Sequence, residues 1–196
     1  MEKDILILLE EISNHIRLNP AEIDLVKGAF HLQKLKKKEF LIKEGEIIKG
    51  LVFVTQGILR SFALGENGME HVIQFAPSRW WIVDMFSLVK QKPSRLSIEA
   101  LENSQILQIS KPDLDKLYRD IPKLERFFRI LAENSLINYQ SRLINNLSLT
   151  ALKRYEHFCE QYPELIQCLA QKYIASYIGV SPEFFSKMMN SIAPKR

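Results

Sequence analysis

Only two cysteines occur among the 196 residues, Cys159 and Cys168, and no further Cys or cluster of His accompanies them. A structural zinc or an iron–sulfur cluster takes about four ligands, so neither is expected, and both thiols read as reduced. Histidine is equally sparse. His15, His31, His71 and His157 form no His-x-His pair, and no Ser-His-Asp or Cys-His grouping is evident. An enzyme, or a metal site inside a barrel, would therefore lack its reagents, and no cofactor is expected. No apolar run approaches the roughly 20 residues of a membrane span. The acidic start Met1-Glu-Lys-Asp and the short apolar run at 5–9 do not read as a signal peptide. The expectation is a cytoplasmic protein with no membrane partner.

What is present is an ordinary globular composition, 46% hydrophobic and 26% charged, with enough chain for one large or two small domains. The net charge of +4 permits a nucleic-acid partner without establishing one. The Lys-rich run at 34–38 reads equally well as a solvated strand edge.

Helical periodicity opens the chain, with Ile5, Leu8, Leu9 and Ile12 on one stripe. A second helix opens at Asn19-Pro20-Ala21-Glu22, with Asn19 as N-cap and Pro20 in the first turn. From His31 to about Ile109 the texture changes to short β-rich runs: Phe40-Leu-Ile, Leu51-Val-Phe-Val, Ile58-Leu-Arg-Ser-Phe, His71-Val-Ile-Gln-Phe and Gln105-Ile-Leu-Gln-Ile. Gly45, Gly50, Gly57, Gly65 and Gly68 punctuate them, with a hairpin turn at Glu66-Asn67-Gly68. Spacings of roughly ten residues predict a small barrel or jelly roll. The interruption at 79–95, a helical turn followed by a basic loop, is where such a barrel would hold a ligand. Trp80 and Trp81 there serve either as a stacking surface or as barrel core.

Ser110-Lys-Pro-Asp113 caps a short helix to about Tyr118, and Asp120-Ile-Pro122 caps a long one to about Asn146. In the long helix Ile130, Ile137 and Ile144 recur every seven residues beside Phe127, Asn134 and Ser141, with Leu136 and Leu143 on a flank. Periodicity allows two uses: a seam against a partner helix, or packing on the chain's own barrel. Thr150 starts another helix to about Gln161, which Pro163 stops.

The segment 171–190 reads as a helix-turn-helix. Ala175 supplies the small residue at the helix crossing, and Gly179 supplies the bend with φ > 0. Ile174, Ile178, Val180, Phe185 and Met188 occupy the positions expected to be buried. Ser181 can cap a second helix with Pro182 at its first position and Glu183 at the positive end of its dipole. An ordinary αα-hairpin is the plainer alternative. From Ala170 onward Lys172, Lys187, Lys195 and Arg196 stand against Glu183 alone, four minus one or +3 net, the sign that suits phosphate. Six residues after Asn190 leave no room for a winged hairpin.

Together these features resemble the Crp/Fnr superfamily of bacterial transcription regulators. Lys38-Glu-Phe-Leu-Ile-Lys-Glu-Gly-Glu46 and Leu51-Val-Phe-Val-Thr-Gln-Gly57 are similar to the opening strands of its cyclic-nucleotide-binding-type roll. Pro163-Glu-Leu and Gln171-Lys-Tyr-Ile-Ala-Ser-Tyr-Ile-Gly179 are similar to the compact branch common in Bacteroidetes. The resemblance implies an α+β fold: an N-terminal β-roll of double-stranded jelly-roll type with flanking helices, a long dimerisation helix and a C-terminal helix-turn-helix domain. The corresponding divisions are 1–118, 119–147 and 148–196. It further implies a homodimer on a pseudo-palindromic duplex DNA site, an effector in the roll, and RNA polymerase as a further candidate partner. The dimer interface would comprise Phe127, Ile130, Asn134, Ile137, Ser141 and Ile144.

The departures from the family pattern are as informative. Nucleotide-binding members use a Gly-Glu pair for ribose and an Arg-Ser pair for the cyclic phosphate. Here Val83-Asp84 and Ser94-Arg95 stand there, with Trp81 beside them as the candidate effector pocket. Val83 adds bulk, Ser94 removes the cation, and Arg95, one residue along a strand, would point to the opposite face. cAMP is therefore not the expected effector. In the recognition helix the branch usually carries Glu-Thr-Leu-Ser-Arg, and this chain has Glu183-Phe-Phe-Ser-Lys187. Glu183 can accept from cytosine N4, and Lys187 can reach guanine as a point charge without the arginine fork. Phe184 either contacts a thymine methyl or belongs to the core, and Asn190 reaches phosphate or adenine. Ser181, Pro182 and Ser186 complete the expected DNA surface, with Lys172, Lys195 and Arg196 on phosphates. A degenerate helix-turn-helix acting as a protein-interaction module is the competing reading, with Phe184, Phe185, Met188 and Met189 as its apolar patch.

Overall fold

The computed structural model describes residues 1–192, so Lys195 and Arg196 lie outside the described residues. The chain forms two compact units. One comprises Met1–Ala63 with Gln74–Glu133, the other Leu64–Ile73 with the chain from Asn134 onward.

In the first unit, α1 (Glu2–Ser13) buries Ile5, Leu8 and Ile12 at three- and four-residue spacings. Helix α2 (Pro20–Ala29) has the expected start. The Asn19 side chain accepts from the Glu22 N–H at 2.9 Å, and the Glu22 carboxylate accepts from the Asn19 N–H at 2.6 Å. Eight strands follow: β1 (His31–Leu35), β2 (Phe40–Ile42), β3 (Gly50–Gln56), β4 (Leu59–Leu64), β5 (Glu70–Ala76), β6 (Trp81–Ile82), β7 (Ser97–Ala100) and β8 (Ser104–Ser110). They make two antiparallel four-stranded sheets, β1-β8-β3-β6 and β2-β7-β4-β5, the roll that the glycine punctuation predicts. Helix α3 (Met85–Lys90) interrupts them where a helical turn is expected.

Strands β1, β6 and β7 are not among the sequence-predicted runs. Strand β7 escapes because Glu99 lies in it and breaks the apolar pattern. Glu99 is buried opposite Arg60 of β4, whose Nε donates to the Glu99 carboxylate at 2.7 Å. The Arg60 guanidinium also lies 4.1 Å from the Phe62 ring centroid. A charge can be buried in a sheet only when such partners replace its water.

Strand β3 is buried on both faces, with Val52, Phe53 and Val54 fully enclosed. Burying each such side chain contributes about 1.5–3 kcal/mol. Asp4 of α1 accepts the Thr55 hydroxyl of β3 at 2.6 Å and meets the N-terminal ammonium at 3.1 Å, so its buried carboxylate is satisfied.

Helix α4 (Lys111–Asp120) is capped by Ser110, and α5 (Lys123–Ser148) follows. The second unit contains α6 (Ala151–Gln161), capped by Thr150, a 3₁₀ turn at Pro163–Leu165, α7 (Gln171–Ile178) and α8 (Pro182–Ile192). Its core gathers Phe158, Tyr162, Tyr177 and Phe185. Phe158 lies 5.4 Å from both Tyr162 and Tyr177, centroid to centroid.

Two glycines give opposite predictions. A Cβ on Gly50 would stand 2.0 Å from the Ile109 carbonyl oxygen, whereas Gly28 inside α2 has nothing within 4 Å. Gly50→Ala is expected to lower the unfolding free energy by about 3 kcal/mol, because the obstacle is backbone. Gly28→Ala is expected to raise it by about 0.5–1 kcal/mol. Urea denaturation curves for the pair check both signs.

Candidate nucleic-acid interface

Helices α7 and α8 are joined by a turn of the kind the sequence predicts. Gly179 has φ +73°, a conformation glycine tolerates without a Cβ penalty, and the Val180 N–H returns to the Ala175 carbonyl at 3.0 Å. Ala175 is fully buried at the crossing. The Ser181 hydroxyl accepts from the Phe184 N–H at 3.1 Å, which starts α8 and uses that oxygen as a cap. Ile174, Ile178 and Phe185 are buried as predicted, while Val180 and Met188 are only half-buried.

Helix α8 has two faces. Phe185 is buried against Tyr155, 5.4 Å between centroids, with Met188 and Met189 half-buried. Glu183, Ser186, Lys187 and Asn190 recur at three- and four-residue spacings and are all exposed. Pro182 at the start of the helix and Lys172 of α7 are also exposed. The Glu183 carboxyl is held below the usual range by its own backbone N–H and then by the Ser181 hydroxyl, with Lys187 adding to the effect. It is an acceptor throughout the neutral range. Phe184 is 53% exposed, which excludes the core alternative for it. Of the four residues of the competing apolar patch, Phe184 is exposed, Met188 and Met189 are half-buried and Phe185 is buried.

Helix α5 separates Phe127 from the other expected dimer residues. Phe127 is 0% exposed and packs on His15 and Trp81 in the first unit, and Ile130 is half-buried. Asn134, Ile137, Ser141 and Ile144 are exposed. The exposed leucines and isoleucines of α5 are Leu136, Ile137, Leu143, Ile144 and Leu147, the last 80% exposed. The stripe joins Ile137 and Ile144 of the heptad to the flanking Leu136 and Leu143.

Two side chains that sequence reading passed over organise the second unit. The Ser176 hydroxyl of α7 donates to the Glu70 carbonyl at 2.5 Å and accepts from the Val72 N–H at 2.9 Å. Arg142 of α5 donates to the carbonyls of Val72 and Tyr177, both at 2.7 Å, and to that of Ile73. Its guanidinium lies 4.0 Å from the Tyr177 ring centroid. Burial pulls its pKa below the ordinary arginine value, with Tyr177 acting in the opposite direction. A bare hydroxyl in a helix and a lone arginine give no sequence signal of such partners.

The expected effector cassette is closed on itself. Asp84 caps α3, accepting from the N–H groups of Phe86 at 2.9 Å and Ser87 at 3.3 Å. Its other oxygen accepts the Ser94 hydroxyl at 2.7 Å. The Ser87 hydroxyl donates to the Lys92 carbonyl at 2.7 Å and accepts from the Ile48 N–H at 3.0 Å. Ser94 and Arg95 lie in the bend before β7 rather than in a strand, with Ser94 buried and Arg95 exposed over the Phe86 ring at 5.1 Å. Val83 is half-buried against the core. Trp81 is taken up by rings: Phe53 at 4.9 Å, Phe128 at 5.4 Å, and Phe30 and Phe127 at 6.2 Å. Among the described residues, no group of three or more His, Cys, Asp or Glu could hold a metal ion.

A β-roll followed in the chain by a long helix and a helix-turn-helix is an arrangement that known proteins share. Residues 32–120 match the cyclic nucleotide-binding domain family. The anaerobic regulatory protein of Haemophilus influenzae is 24% identical, over 88% of this chain and 71% of that protein. The transcriptional activator protein Anr of Pseudomonas protegens is also 24% identical, over 79% of this chain and 67% of its own. The c-di-GMP-responsive regulator CLP of Xanthomonas campestris shares the fold at a TM-score of 0.72 and 13% identity, over 89% of this chain and 91% of its own. A regulator of the Crp/Fnr family from Eubacterium rectale shares the fold at a TM-score of 0.68 and 17% identity, over 89% of this chain and 83% of its own. The branch within that family rests on the sequence resemblance alone.

The Ser176 and Arg142 contacts are open to test. Ser176→Ala leaves the Val72 N–H and Glu70 carbonyl without their partner and is expected to cost about 1–2 kcal/mol. Arg142→Met, stripping three carbonyls, is expected to cost about 3 kcal/mol or more. Equilibrium denaturation measures both, and a smaller effect for Arg142→Met would contradict its central place.

Proposed function

We propose that this protein is a homodimeric, sequence-specific DNA-binding transcription regulator acting in the cytoplasm. In that reading residues 1–118 sense, 119–147 dimerise and 148–196 bind DNA. The observation that carries it is the exposed polar face of α8, Glu183, Ser186, Lys187 and Asn190, opposite a buried Phe185. A capped helix of this kind presents its N-terminal turns to a major groove. Lys172 suits a phosphate, and Lys187 a guanine edge. The names of the relatives, regulatory and activator proteins, support the same reading.

The stripe Leu136, Ile137, Leu143, Ile144 and Leu147 supports the dimer. Burying each side chain is worth roughly 1.5–3 kcal/mol, enough together to offset an association cost of order 4–15 kcal/mol. A two-fold dimer then calls for a pseudo-palindromic site, with RNA polymerase as a further partner. The effector is not cAMP in this reading. Asp84 and Ser94 already satisfy each other, and a cyclic phosphate buried there would lack a cation.

Selection from a random duplex library, with and without millimolar cAMP, tests the function. The expected result is one symmetric site recovered equally in both, with Lys187→Ala losing about 1–3 kcal/mol there and less on scrambled DNA. Recovery only with cAMP overturns the effector reading, and no enrichment in either favours the protein-interaction module. Sedimentation tests the dimer. Leu143→Glu is expected to give a folded monomer, and an unchanged dimer would place the interface elsewhere.

A further inference from the structure

The two adjacent phenylalanines of the recognition helix have opposite fates. Phe185 is 1% exposed and anchors α8, while Phe184 is 53% exposed in its first turn. The backbone of Phe184 is fixed, because its N–H is the group that the Ser181 cap receives. The side chain borders the polar face, next to Glu183 and three residues before Lys187. Long side chains on a helix lean toward its N-terminus, and in a helix-turn-helix that end enters the groove. The floor of the major groove offers one apolar group, the 5-methyl of thymine.

Resting on the DNA-binding reading above, we propose that Phe184 is a specificity-determining residue that reads a thymine methyl. That thymine lies in each half-site, at a step neighbouring those faced by Glu183 and Lys187. Glu183 and Lys187 supply the charged and hydrogen-bonding part of the readout, and Phe184 adds an apolar part that tells thymine from cytosine. An exposed aromatic ring costs solubility in the free protein. It gains a partner only when the helix is seated, so its contribution falls on the specific complex and not on non-specific phosphate binding.

Deoxyuridine lacks only the methyl group, so it isolates this contact. Each thymine of the selected site is replaced in turn by deoxyuridine, and the dissociation constant is measured at fixed salt for wild type, Phe184→Ser and Phe184→Leu. One thymine per half-site is expected to show about a fourfold weakening in wild type, the size of one buried methyl group. The effect is expected to vanish in Phe184→Ser and to persist in part in Phe184→Leu. Melting curves establish that both variants fold, as an exposed position predicts. A selective wild-type complex indifferent to every deoxyuridine overturns the inference and leaves the DNA-binding reading intact. So does a deoxyuridine penalty that is the same in Phe184→Ser. Failure of the wild type to bind any duplex selectively overturns both.

Discussion

One buried cation ties the second unit together. The Arg142 guanidinium, on α5, is bound by the carbonyls of Val72 and Ile73 in β5 and of Tyr177 in α7, with the Tyr177 ring against its face. Its bonding partners are backbone groups, which cannot move away without unmaking an element. A guanidinium keeps its charge even where burial lowers its pKa, so the contact persists across the physiological range. Ser176 repeats the pattern at smaller scale, joining α7 to the Glu70 carbonyl and the Val72 N–H. The helix that positions the recognition helix is thereby fixed by polar contacts as well as by the ring cluster of Phe158, Tyr162 and Tyr177.

Helix α5 serves two environments in turn. Its first turns bury Leu124 and Phe127, and its later turns expose leucine and isoleucine. No single apolar stripe runs its length, because the buried side of the first turns and the exposed apolar side of the later ones lie on different faces. Of the seven-residue repeats, Phe127 is therefore taken up by the first unit, while Asn134, Ile137, Ser141 and Ile144 stay exposed. The repeat is real in the sequence, but its first member is needed by Trp81 and His15.

In the roll, the residues at the expected effector positions bond to one another. Asp84 caps α3 and receives the Ser94 hydroxyl, so the carboxylate that would face a ribose in a nucleotide binder is engaged within the chain. Trp81, placed beside the pocket by sequence, is instead the centre of an aromatic core.

Local physics made much of this molecule legible. The reciprocal cap at Asn19 and Glu22, the caps at Ser110, Thr150 and Ser181, and the bend at Gly179 depend on residues within four positions of one another. So does the face formed by Glu183, Ser186, Lys187 and Asn190. These fixed the helix-turn-helix and its polar surface from sequence alone. Tertiary structure decided what depends on distant partners. Strand β7 exists around a Glu99 whose partner Arg60 is 39 residues away, and Arg142 reaches Val72 across 70. The same holds for the burial of Phe127, the exposure of Phe184 and the engagement of Asp84 by Ser94. Periodicity states which residues share a face, but only the packed chain decides which face meets water.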